Sequence, residues 1–147
     1  MNATRLLILA DALEKRDTFD SNGIRFFFGD VVDGTAESTH RLSCGSTACA
    51  IGIMPLVPEF AALGVRYGGP DRGFVEVICD GLPADDLRSY SFRTASHVFD
   101  LTEDECSYLF APYGGSLLLH NLLPVDASAT DVAAHIRSFV AGGGMPQ

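Results

Sequence analysis

The stretch Cys44-Gly45-Ser46-Thr47-Ala48-Cys49-Ala50-Ile51-Gly52-Ile53-Met54-Pro55 constrains this chain more than any other. Residues 48–54 carry no charge, so no face of the segment belongs in water. A helix that is apolar all round is a buried helix. Gly45, Ser46 and Thr47 offer capping chemistry, because a Ser or Thr oxygen accepts a bond from an unpaired first-turn N–H. Cys49 and Ile53 then share a face, and Ala48 and Gly52, four apart, admit a close neighbour. Pro55 lacks an N–H and Pro58 follows, which stops or resets the helix about there.

Around this centre the hydrophobic pattern predicts a mainly helical α+β protein, a compact single domain over residues 1–147 with about five helices and a small antiparallel hairpin. Leu6, Leu9, Ala10 and Leu13 recur at i, i+3, i+4 and i+7, which predicts a helix over 3–16. Residues 24–28 are β-compatible, and 30–43 read as a long loop. A helical turn over 60–63 ends at Gly64. Val65–Tyr67 and Phe74–Ile78 flank the turn composition Gly-Gly-Pro-Asp-Arg-Gly and predict a hairpin, with Arg66 and Glu76 on its solvent face. Residues 91–99 read as a helix with Phe92, Ala95 and Phe99 inward and His97 outward. Thr102 and Glu105 form a capping-box pattern that opens a helix to Phe110, with Cys106, Leu109 and Phe110 on one face. A last helix spans about 128–141, with Val132, Ile136, Phe139 and Val140 inward, and ends at Gly142–Gly144.

The pattern Cys-Gly-Ser/Thr-x-Ala-Cys-Ala-x-Gly at 44–52 resembles that of a family of small, uncharacterised bacterial and phage-encoded proteins. The resemblance extends over most of the chain. It takes in the helix at Leu6–Leu13, Phe19-Asp20, Pro58-Glu59-Phe60, and the element from Leu101-Thr102-Glu103-Asp104-Glu105 to Leu109-Phe110-Ala111-Pro112, with a closing amphipathic helix. Members often have His and Ala after the glycine, where this chain has Ile53 and Met54, which argues against an essential histidine there. The resemblance implies a fold rather than an activity.

Ten Lys and Arg against nineteen Asp and Glu give a net charge of −9, and Lys15 is the only lysine. Phosphate contacts need a basic stripe, so direct nucleic-acid binding is not expected. Leu6–Ala10 is too short for a signal peptide, and no run approaches the ~20 apolar residues of a membrane span. The expected location is the cytoplasm, where four cysteines remain reduced. The carboxylates cluster only at 100–105. A solvated helix start favoured by the helix dipole carries more weight there than a binding patch. Asp100, Glu103 and Asp104 are nonetheless the candidate binding residues, with Phe27 of the Phe26-Phe27-Phe28 run as an apolar contact if exposed.

Cys44, just ahead of the expected helix, is the one candidate nucleophile, because a helix N-terminus favours the thiolate. His40, His97, His120 and His135 are the available bases; His120 and His97 are the candidate partners, though no spacing singles one out. A small buried thiol at a tight helix start is the stronger account of Cys44. Cys44, Cys49, Cys79 and Cys106 lack the paired spacing of a zinc site. No glycine cluster has the Lys and Ser/Thr of a phosphate-binding loop. No cofactor or metal is expected. The leading expectation is therefore an acidic, phage- or mobile-element-associated interaction protein. It binds, and in one version inhibits, a basic nucleic-acid-binding host protein. The alternative is a cysteine-dependent hydrolase or acyl transferase using Cys44 with a histidine base.

Overall fold

The longest helix, α1 (Ala3–Arg16), buries its periodic face completely: Leu6, Leu9, Ala10 and Leu13 are fully inaccessible. The computed structural model describes residues 1–16, 25–26, 32–33, 47–48, 50–68, 76–82, 90–110, 123 and 127–146. Asn2 caps α1, its Oδ1 accepting from Arg5 N–H at 3.1 Å. The same end docks on a second helix, α4 (Tyr90–Phe99). Asn2 N–H donates to the Phe99 carbonyl at 2.6 Å, and Arg5 Nη1 donates to the Val98 carbonyl at 2.9 Å.

The 44–55 segment is only partly helical. Thr47–Ala48 form a strand, β3, which pairs parallel with β1 (Arg25–Phe26) and antiparallel with β2 (Val32–Asp33). The helix α2 covers only Ala50–Ile53, and a 3-10 turn, Met54–Leu56, follows with Pro55 inside it. This corrects two expectations: Thr47 is in a strand and does not open the helix, and the 30–43 stretch contains a strand. A short apolar run fits strand or helix equally by periodicity, and here non-local pairing decides. Burial follows the expectation. Ala50, Ile51, Gly52, Ile53 and Met54 are all inside.

Helix α3 (Pro58–Ala61) starts on a proline, whose fixed φ and missing N–H suit the first helical position. It begins earlier than the 60–63 turn expected. Gly64 then has φ +85, and a Cβ there would sit 2.9 Å from Asp80 Cβ, so only glycine fits. The hairpin β4 (Val65–Gly68) and β5 (Glu76–Cys79) pairs in register Val65↔Cys79 to Gly68↔Glu76. Arg66 is exposed and Glu76 half-buried, and Arg66 Nε donates to Asp80 Oδ1 at 2.9 Å. Tyr67 Oη donates to the Gly52 carbonyl, tying the hairpin to α2.

In α4 the buried residues are Ser91, Thr94, Ala95, Val98 and Phe99. Phe92, expected inward, is only half-buried. The two buried hydroxyls serve β5: Ser91 Oγ accepts from Val77 N–H at 3.0 Å, and Thr94 Oγ1 donates to the Val77 carbonyl at 3.0 Å. The helix thereby satisfies the strand groups that face away from β4.

Helices α5 (Glu103–Phe110) and α6 (Ala129–Ala141) both open with capping boxes. Thr102 Oγ1 accepts from Glu105 N–H at 3.2 Å while Thr102 N–H donates to Glu105 Oε2 at 2.9 Å. Ser128 and Asp131 repeat the arrangement, at 3.0 Å in both directions. α6 buries Val132, Ala133, Ile136 and Phe139 and packs chiefly against α1. Phe99 joins the elements at the core centre, edge-on to Phe60 at 5.5 Å and tilted on Phe110 at 5.8 Å. The result is a compact, mainly helical α+β fold.

Candidate functional site

The corner between α4 and α5 carries the feature with the most chemical character. A three-residue link, 100–102, joins the helices, and the first turn of α5 lies against the outward side of α4. Between them opens a cavity of about 630 Å³. Among the described residues, Leu82, Phe92 and Leu101 give it apolar walls, Arg93, Glu103 and Asp104 give it charge, and Ser96, Ser107 and Cys106 also line it. The capping box of α5 fixes the turn from which Glu103 and Asp104 project, and both are exposed. Their charges sit at the positive end of the helix, where they are favoured.

Cys106 is almost fully buried in this lining, its Sγ donating to the Phe92 carbonyl at 3.5 Å. Burial pushes its thiol up to about 11. It is therefore a neutral thiol at physiological pH, and the thiolate is the nucleophilic form. Cys79, buried in β5, is also pushed up, by burial and then by the Asp80 carboxylate; its Sγ donates to the Leu63 carbonyl at 3.5 Å. Neither thiol has the environment of a nucleophile.

The candidates from sequence fare differently. Glu103 and Asp104 come together on the cavity. Asp100 is exposed at the end of α4, outside the lining, with its carboxylate 3.3 Å from the Met1 amine. His97 is exposed on α4 and also outside the lining. Cys44, His120 and Phe27 lie outside the described residues, as do His40 and Cys49. The chain is a strand at Thr47–Ala48, and the helix starts only at Ala50 and is four residues long. His135 is half-buried on α6, its ring 4.7 Å from that of Tyr108, with Nε2 3.2 Å from the Tyr108 carbonyl. Burial lowers its pKa, against the opposing effect of that hydrogen bond.

The sequence reading missed Phe92, Arg93, Ser96 and Ser107 as lining residues. The helical period places Phe92 on the core face, whereas the structure leaves it half-buried. The available signal was the link of only three residues, which forces two helix ends together and turns the first turn of α5 onto the side of α4.

Among the described residues no group of three or more His, Cys, Asp or Glu is placed to hold a metal ion. Among them also, no helix is long and apolar enough to cross a membrane. No protein-family model, no curated protein and no solved structure matches the chain.

Proposed function

We propose that this protein acts by binding another protein, a basic one, through the acidic corner formed by the end of α4 and the start of α5. The observation that carries this reading is the position of Glu103 and Asp104. They stand exposed on the rim of a cavity with apolar walls, with Asp100 exposed beside them in the chain. Apolar area supplies affinity, and a carboxylate rim selects cations. The net charge of −9 adds long-range attraction to the same class of partner. Nucleic-acid-binding proteins of a host cytoplasm present such surfaces, and an acidic protein seated on one would compete with its nucleic acid.

The test is capture from lysate of the native host at low and high salt. The wild-type chain is compared with the triple variant Asp100→Asn, Glu103→Gln, Asp104→Asn. A basic protein retained at low salt, released at high salt and not retained by the variant supports the reading. Retention that is equal for both chains, or that ignores salt, overturns it.

A further inference from the structure

We infer that the α4–α5 cavity is the seat for an arginine side chain of the partner, an assignment that rests on the proposed reading of this corner as a surface for a basic protein. At about 630 Å³ the cavity is in the size range of pockets that enclose whole small ligands. It therefore accommodates one long side chain together with part of the residue beside it. Among the described lining residues the charged groups are two carboxylates, Glu103 and Asp104, and one guanidinium, Arg93, a balance that favours a cation over an anion. Its remaining walls are not those of a simple ion site. Leu82 and Leu101 offer aliphatic surface for a hydrocarbon stem, and Phe92 offers an aromatic ring. Ser96 and Ser107 add hydroxyl acceptors.

Arginine meets this lining better than lysine does. Its planar guanidinium stacks on an aromatic ring and forks onto a carboxylate, and it is more weakly hydrated than an ammonium, so it enters a half-apolar cavity at lower desolvation cost. Five N–H donors match a lining that supplies carboxylate and hydroxyl oxygens on neighbouring turns. Cys106 at the wall is a neutral thiol already donating to the Phe92 carbonyl, so it adds polarisable surface without competing charge.

The experiment uses the full chain, labelled with ¹⁵N, titrated with the blocked dipeptide acetyl-Leu-Arg-amide and with its citrulline and lysine counterparts. Citrulline keeps the shape of arginine and lacks its charge. The expected result is saturable shifts of the backbone amides of Phe92, Ser96, Glu103 and Cys106 by the arginine peptide. Citrulline should bind at least tenfold more weakly, and the Glu103→Gln, Asp104→Asn double variant should lose a similar factor. Glu59→Gln, an exposed carboxylate on α3 outside the lining, should leave the peptide affinity unchanged. Equal binding of the citrulline or lysine peptide overturns the assignment. So do shifts spread over the whole acidic surface without saturation, and so does the absence of shifts. A salt-sensitive partner captured while the peptide fails leaves the acidic surface standing and removes the arginine seat. A peptide that binds as described while no partner is captured keeps the seat and removes the proposed function.

Discussion

Asp100 is the one described non-glycine residue with a left-handed backbone, at φ +54. The position follows from how α4 ends: Leu101 N–H reaches back to the Ser96 carbonyl at 3.0 Å, the long bond of a Schellman motif, with Asp100 at the residue that must turn left-handed. An L side chain there is disfavoured by roughly 1–2 kcal/mol, less for Asp than for most. Asp100→Gly and Asp100→Ala both remove the carboxylate near the Met1 amine, and only glycine relieves the backbone. The glycine variant should therefore be more stable than the alanine variant by about 1 kcal/mol in urea unfolding; equal midpoints would sink the argument. His135 offers a second test at this scale. Its lowered pKa means that the unfolded chain, with a value near 6.5, takes up a proton before the folded one does. Stability linked to the neutral ring is complete above that value and is lost as pH falls below it towards the lowered one. His135→Gln keeps an N–H for the Tyr108 carbonyl and does not titrate. The stability difference between wild type and variant should shift against the wild type from pH 7 to pH 5. A difference that stays constant with pH would refute the linkage.

At the scale of elements, the hairpin depends on the helix that follows it. A two-stranded ribbon is marginal by itself, and β5 turns the Val77 N–H and C=O away from β4 into the buried interior. Ser91 and Thr94 receive them. Ser91→Ala leaves a buried N–H without its acceptor and should cost about 1–3 kcal/mol; Thr94→Val, which preserves shape, should cost a similar amount through the carbonyl. Amide exchange separates this from general destabilisation: in Ser91→Ala the Val77 N–H should lose more protection than Phe99 or Ile136. Uniform loss across the three would contradict the local account. These hydroxyls also mark the boundary of what the sequence discloses. The faces of α1 and α6, the hairpin and the Thr102–Glu105 capping box depend on contacts within a few residues, and the structure has them where the local pattern predicts; the second capping box, at Ser128 and Asp131, is added by the structure. Strand β3 depends on pairing with β1 and β2 across separations that no local pattern encodes, so Thr47 read as a helix start. Ser91 and Thr94 look like ordinary helix residues until β5 is beside them. Of the candidate site, Glu103 and Asp104 were legible because they cluster at a helix start. Phe92 was not, because its period assigns it inward while the cavity leaves it half-exposed.

At the scale of the whole molecule, two helices far apart in sequence, α1 and α6, join the described structure. α1 and α6 pack along one another, and both bury an apolar face, Leu6, Leu9, Ala10 and Leu13 on α1 and Val132, Ala133, Ile136 and Phe139 on α6. On the rim of the same contact Arg137 Nε and Nη2 donate to Glu14 at 3.0 and 3.1 Å, and Nη2 also to Asp11. These carboxylates push the guanidinium pKa up from an already high value, so the charge is permanent. Geometry alone makes the Arg137 fork the more eye-catching link, yet the buried leucine should matter more. Leu9→Ala removes inaccessible methyl groups and leaves a cavity between two helices, a change worth about 2–5 kcal/mol, against a total for such a domain of roughly 5–15 kcal/mol. The Arg137 side chain is solvated, so its ion pairs are screened and its loss should be small. Salt distinguishes the two. With a net charge of −9 the folded chain repels itself, and added salt should raise the melting temperature of the wild type. The deficit of Leu9→Ala should persist at high salt, because apolar burial is not screened. The deficit of Arg137→Met should shrink towards zero under the same conditions, because both the lost ion pairs and the added net charge are screened. Thermal unfolding of the three chains at about 0.05 and 0.5 M salt, between which the Debye length falls from roughly 14 to roughly 4 Å, measures this directly. A persistent Arg137→Met deficit equal to that of Leu9→Ala would mean that the fork, rather than the leucine face, closes the fold.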